Sequence, residues 1–456
     1  MQLWKLHRIS LLLALTSILF YASFAYDLER TDYVKLLGLY SGLSFLFYKL
    51  IQISKHNLKF LTWFAFSFRA VFILAIPNLS QDFYRFIWDG RMILEGFNPY
   101  LFTPESFIIN SEFPVNQAKE LYNGMGSLNA SHYTNYPPLN QLCFAIAGLL
   151  SGKSILGSVV VLRLIIIAAD FGTLYYGKKL LEKLKLPAYN IFWYLLNPLI
   201  IIELTGNLHF EGVMIFFLVW SLYLLYSGKW KLAAIVFACS VSIKLIPLIF
   251  LPLFYQYFTK RDASTALSMT KLIIFYVTVG AMTIILFLPF YSSLFLTNYT
   301  ETVALWFNNF EFNASLYYVV REIGYSISGY NQIAIIGTIT SIIVFLFVLV
   351  IAFFRKNLSM IQLITVMLLA LSFYYFTATT VHPWYIAMLL ILSVFTKYKF
   401  PLVWSFVIIL SYLAYLQIGN ADKSENLWVI AFEYIVVYSF FIWEVWIKPN
   451  KSKFTS

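Results

Sequence analysis

The sequence predicts an all-α polytopic membrane protein. Three observations lead there: 61% of the 456 residues are hydrophobic, only 12% are charged, and the mean hydropathy is +0.76. A water-soluble domain carries about twice that share of charge. The apolar residues run in stretches near the ~20 residues that a helix needs to cross a bilayer, separated by short loops bearing Lys and Arg. The net charge of +11 raises the question of a nucleic-acid surface. The cations are scattered among loops rather than gathered on one segment, so no nucleic-acid partner is expected. Cys143 and Cys239 both lie in apolar stretches, and neither a disulfide framework nor thiol chemistry is expected.

Taken in order, the N-terminus MQLWKLHRISLLLALTSILFYASFAYDLE offers a signal peptide cut near Ala25 or an uncleaved first helix. The long apolar run and the spans that follow favour the helix. Spans are expected at 9–26, 34–53 and 58–77, then a polar loop, 78–135. The run 136–150 is short for a crossing. If it crossed, Lys178, Lys179, Lys183 and Lys185 would face outside, against the inside preference of Lys and Arg. A re-entrant or juxtamembrane helix opening at Pro137 and Pro138 avoids this. Further spans follow at 158–177, 188–204, 210–226, a Pro-broken pair 230–243 and 246–258, then 270–290, 331–354, 359–378, 383–397, 401–418 and 427–447. That makes about 13–14 transmembrane helices in one domain over 1–456, with both termini inside, most acids outside, and a second outer loop at 291–330.

The chain is organised around LSQDFYRFIWDGRMILEGFNPY, Leu79 to Tyr100, which sets two carboxylates and two guanidiniums just beyond a span. A helix over 82–95 puts Asp82, Arg85 and Asp89 on one face, with Trp88, Arg91 and Glu95 beside it. Ser80 is the expected cap and Gly96 the stop. The implied element is an amphipathic helix lying on the membrane. A solvated charged face is the bland alternative.

Other polar residues gather on the same outer side. Glu203, Asn207, His209 and Glu211 fall in the turn IIELTGNLHFEG; Lys244 lies at the tip of the Pro-broken pair; His382 opens a span in VHPWY; Glu311, Asn313 and Arg321 belong to the second outer loop. A lone His at a helix end is more often a hydrogen-bonded cap, and a Lys near the surface usually snorkels. Ionisable groups are costly in a membrane and line substrate paths. Outer-facing carboxylates with buried cations suit the transfer of a sugar from a lipid phosphate to a hydroxyl. A carboxylate takes the hydroxyl proton, and cations hold the departing phosphate. No phosphate-cradling Gly-rich loop is present, so no nucleotide is expected.

The set QDFYRFIWDGRMILEGFNPY, NYPPLNQL, NPLIIIELTGNLHFEG, SIKLIPLIFLPL, FEFNASLYY and HPWY resembles the polytopic glycosyltransferases of the C superfamily, nearest to bacterial polyprenyl-phosphate-mannose-dependent mannosyltransferases, over about residues 78–385. The resemblance implies an inverting, metal-independent and cofactor-free hexosyltransferase, with mannose as the sugar, in the cytoplasmic membrane with its site facing the exterior. It implies a polyprenyl-phosphate sugar as donor partner and a glycan, glycolipid or protein as acceptor. It makes Asp82 the general base, with Asp89 second or orienting the helix through Arg85 or Arg91. It gives Lys244, Arg321 and His382 the donor phosphate, and Arg85, Arg91, Tyr136, Glu203, His209 and Glu211 the substrates. The chain departs from many relatives in carrying Gln81 before Asp82, where they have adjacent acids, and Glu211 where they have Asp.

Two other classes compete. A lipid-linked polysaccharide polymerase or ligase more often places its large loop late in the chain, whereas the polar cluster here is early. A transporter or flippase needs mid-membrane charge and often pseudo-symmetric halves. Asp170, Glu433 and Glu444 are its candidates, each isolated in sequence.

Overall fold

The computed structural model describes residues 2–259, 265–417 and 425–448. Among these the regular structure is helical, apart from one parallel bridge between Phe312 and Thr380. Among the described residues seven helices are long and apolar enough to cross a membrane, or eight if one bent pair counts as a span, and five apolar helices are shorter. One contiguous hydrophobic core runs from Ala14 to Val437.

Local chemistry accounts for many of the boundaries. Tyr33–Ser54 and Leu58–Val71 start where the Asp32 and Asn57 side chains accept from Lys35 N–H and Phe60 N–H. Met360–Thr377 opens with a reciprocal Ser359–Gln362 capping box. Pro138 stands in the first turn of Pro138–Ser151, a 14-residue helix about 21 Å long, too short for the hydrocarbon core. Ile155–Lys183 follows, longer than the expected 158–177.

Three expected spans are not straight helices. The third stops at Val71, and Ile73 offers its carbonyl to Arg163 Nη1 at 2.9 Å instead of to a further turn. The run 188–204 breaks at Asn197–Pro198, resumes as a π-helix over Ile200–Gly206, and turns 110° into Glu211–Tyr226. Arg163 Nε and Nη2 donate to the carbonyls of Thr205 and Gly206 at 2.8 and 2.9 Å, so the irregular backbone stays hydrogen-bonded. The run 401–418 is the helix Phe400–Val407 continued as a 3-10 segment, Ile408–Gln417; residue 418 lies outside the described residues.

The expected surface helix is instead a core element. Asp82–Leu94 buries Phe83, Arg85, Phe86, Ile87, Trp88, Asp89, Gly90, Arg91 and Met92. Its two inner charges neutralise one another, and its apolar side packs on Pro138–Ser151 with Phe86 stacked on Phe144 at 4.6 Å. Gly90 makes the approach possible: a Cβ there would lie 2.2 Å from the Phe144 carbonyl oxygen. Gln81 is the cap residue, and the Ser80 hydroxyl accepts from Asp82 N–H. The helix ends at Gly96, whose φ is +82°.

The second loop is itself helical, as Ser293–Asn308 and Leu316–Ser328. Between them Phe312 exchanges backbone hydrogen bonds with Thr379 and Val381. The acids that are isolated in sequence have partners in space. Asp170 accepts from Arg69 at 2.7 Å, both fully buried; Glu433 accepts from Trp404 and Asn313; Glu444 accepts from the backbone N–H groups of Lys399 and Phe400.

Candidate active site

Asp82 begins its helix at a half-buried position. Asn129 Nδ2 donates to Oδ1 at 3.2 Å, and among the described residues Asp82 forms no ion pair. Two turns further in, Asp89 is fully enclosed. Arg85 Nε donates to its Oδ1 at 2.7 Å and Gln141 Nε2 to its Oδ2 at 3.1 Å. Arg85 also donates to the carbonyls of Asn129 and His132, which brings Asn129 against Asp82. Arg91 holds the Asn116 carbonyl at 2.6 Å and Gln117 Oε1 at 3.2 Å. Both arginines tether the first loop to the helix that carries Asp82. Burial lowers Arg91 from its ordinary value, with Glu120 opposing.

The opposite wall is the bend after the π-helix. Glu203 receives Tyr412 OH at 2.7 Å and Asn207 Nδ2 at 3.3 Å. Asn207 Oδ1 accepts from Leu79 N–H, joining this wall to the strand of chain that leads to Asp82. His209 Nδ1 donates to the Glu203 carbonyl at 2.9 Å, and its Nε2 is buried without a partner. Glu211 Oε1 meets Lys244 Nζ at 2.5 Å, while Oε2 is buried and unpartnered. Lys244 lies 6.0 Å from the Tyr136 ring centroid and keeps 23% of its side chain exposed.

A ring stack joins the bend to the later motifs. Trp384 lies between His209, at 3.7 Å, and His382, at 4.4 Å. The other face of His382 meets Phe312 at 4.8 Å, which is how FEFN, HPWY and NLHFEG come together. Arg321 stands one layer behind, donating to Glu311 at 2.7 Å and Glu322 at 3.0 Å above the Tyr318 ring.

The electrostatics tie these groups to one another. Burial, then the carboxylates of Asp82 and Glu211, push the Tyr136 phenol well above its ordinary value. Burial, then His209, Lys244 and Arg30, lower His382 to about 3, so its ring is neutral near pH 7. Asp82 is also an electrostatic neighbour of Tyr385 and Tyr415. Thus Asp82, Tyr136, Glu203, His209, Glu211, Lys244 and His382 share one site. Asp89, Arg85, Arg91 and Arg321 support its edges through protein partners.

Four contributors escaped the sequence reading: Asn129, Trp384, Tyr412 and Arg30. Trp384 sits inside HPWY, and Arg30 is the cation in the otherwise acidic turn DLERTD. Tyr412 and Asn129 give no signal, because their partners Glu203 and Asp82 lie far away in sequence.

The family described as "Alpha-(1->6)-mannopyranosyltransferase, N-terminal domain" matches residues 24–260, just over half of the chain and the part that holds Asp82, the 203–211 bend and Lys244. No curated protein matches the chain.

Proposed function

Because the chain belongs to the alpha-(1->6)-mannopyranosyltransferase family, we propose that it moves mannose from a polyprenyl-phosphate donor to a glycan hydroxyl, with inversion, at the exterior face of the cytoplasmic membrane. An inverting enzyme that makes an α linkage requires a β-linked donor. The acceptor oxygen attacks the anomeric carbon as the bond from that carbon to the phosphate oxygen breaks. The electron pair leaves with the polyprenyl phosphate, and the acceptor proton passes to Asp82. The single observation that supports this assignment is the contrast between the carboxylates. Asp82 accepts one neutral hydrogen bond, whereas Asp89, Glu211 and Glu311 face cations and Glu203 is held by Tyr412 and Asn207. An uncommitted carboxylate can accept a proton without first breaking an ion pair.

In this reading Lys244 supplies charge to the phosphate, and Glu211 holds the lysine in place. His209 Nε2, Glu211 Oε2 and His382 Nδ1, all buried without partners, are groups a sugar could satisfy. The test is transfer by the purified chain from radiolabelled polyprenyl-phosphate mannose to a membrane-glycan extract, with chelator present and Asp82→Asn alongside. Chelator-resistant transfer that vanishes in Asp82→Asn is the expected result. Silence of the wild type with mannose, glucose, galactose and arabinose donors alike would overturn the reading.

A further inference from the structure

A departing phosphate needs positive charge, and most cations around the cleft are already engaged. Arg85 faces Asp89, Arg321 faces Glu311 and Glu322, and Lys244 faces Glu211. Arg91 is spent on the first loop. Arg30 differs. It stands in the turn between Gln2–Tyr26 and Tyr33–Ser54, and it forms no ion pair among the described residues. Two acids of its own turn look elsewhere, since Asp27 pairs with Lys35 and Asp32 caps the next helix, and the third, Glu29, is exposed. Its guanidinium carbon lies 3.1 Å from the Tyr415 ring centroid, and its Nε is buried without a hydrogen-bond partner.

Tyr415 ties Arg30 to the cleft through a closed ring of contacts. Tyr415 lies 5.7 Å from Tyr412, whose hydroxyl donates to Glu203, and 6.1 Å from Phe312, which stacks on His382. The ring closes through Trp384 and His209 back to Glu203. Asp82 and Glu203 are both electrostatic neighbours of Tyr415, and Arg30 acts on His382 and Tyr412.

We propose that Arg30 binds the phosphate of the lipid-linked donor, as a second cation beside Lys244; this rests on the donor class proposed above. Both cations are electrostatic neighbours of His382. The Tyr415 ring and a side-chain hydrogen bond to Tyr415 hold the Arg30 guanidinium in place, and its buried Nε has no hydrogen-bond partner among the described residues. A guanidinium so held offers its remaining N–H groups as the fork that two phosphate oxygens accept. As the bond to the sugar breaks, charge grows on those oxygens, where a fixed cation counts most.

The test measures binding of polyprenyl phosphate and of the matching polyprenol to the purified full chain in detergent, for wild type, Arg30→Gln and Arg30→Met. The wild type is expected to prefer the phosphate. Both variants are expected to lose about tenfold or more of the affinity for polyprenyl phosphate while binding polyprenol as before. The methionine keeps the stem against Tyr415, so it carries the test if the glutamine variant does not elute as a folded species. Equal loss for both lipids would make Arg30 a tether between the first turn and Ile408–Gln417, and unchanged affinity would leave it no role; either overturns the proposal. A wild type that does not distinguish phosphate from polyprenol would overturn the donor class itself, which separates that failure from the failure of Arg30.

Discussion

Asp82 and Asp89 lie two turns apart on one helix in different surroundings, the first with one neutral partner and the second enclosed by Arg85 and Gln141. Replacing Asp82 by Asn removes the proton acceptor but keeps an oxygen that can accept from Asn129, so transfer is expected to fall by about 10²–10⁴ with the thermal midpoint in detergent unchanged. Replacing Asp89 by Asn strands the buried Arg85 guanidinium and costs about 3–5 kcal/mol of stability, read as a large drop in that midpoint. Near-normal turnover in Asp82→Asn would remove it from the mechanism. At Lys244 the prediction concerns affinity: Lys244→Met with Glu211→Gln, which deletes both charges together, is expected to weaken donor binding while preserving the fold. Unchanged donor affinity would reduce this lysine to a snorkelling anchor. His382 supplies a pH signature. Its folded value of about 3 lies below the ordinary 6.5, so the unfolded chain binds the proton first, and stability is lost as pH falls from about 6.5 towards 3. His382→Phe keeps a ring against Trp384 and removes that titration, so its midpoint is expected to vary less over this window. An identical profile would assign the acid sensitivity to another group.

At the scale of elements, the site depends on two tight fits. The helix Asp82–Leu94 meets Pro138–Ser151 at Gly90, where a methyl group would run into the Phe144 carbonyl. Gly90→Ala therefore forces the helices apart and is expected to cost about 1–3 kcal/mol. Gly38, also inside a helix, has nothing within 4 Å of a built Cβ, and Gly38→Ala is expected to stabilise by about 0.5–1 kcal/mol. Similar midpoints for the two variants would contradict the packing described. The second fit is the π-helix and its 110° turn, held at its end by Arg163. Through Ile73, Thr205 and Gly206 that one guanidinium ties the chain leading to Asp82 to the wall carrying His209 and Glu211.

For the whole molecule, the sidedness proposed from the Lys and Arg distribution makes a prediction of its own. Asn110→Cys in the first loop and Glu182→Cys at the far end of Ile155–Lys183 are both exposed, and a membrane-impermeant thiol reagent is expected to label them from opposite sides. Labelling from the same side would mean that Pro138–Ser151 crosses the membrane. The native Cys143 and Cys239 are free, each half-buried, so a background without them is needed for a clean reading.

Hydropathy and charge determined by themselves that the chain is helical and membrane-embedded, and most helix limits to within a few residues, because burial in lipid selects for apolar runs of a set length. Short motifs were enough to single out Asp82, His209, Lys244 and His382 as candidates, since ionisable groups near lipid are costly and tend to line substrate paths. Only the tertiary structure decided which charges are committed. Asp82 and Asp89 look equivalent in sequence, yet Gln141, 52 positions from Asp89, helps to enclose one of them, and Asn129 leaves the other open. The break at Ile200–Gly206 was equally hidden, because the guanidinium that satisfies its carbonyls comes from another helix. Arg30 was hidden for the same reason, as the ring that aims it lies at Tyr415. Periodicity reports what a residue contributes to its own helix; partners brought by distant chain are set by packing.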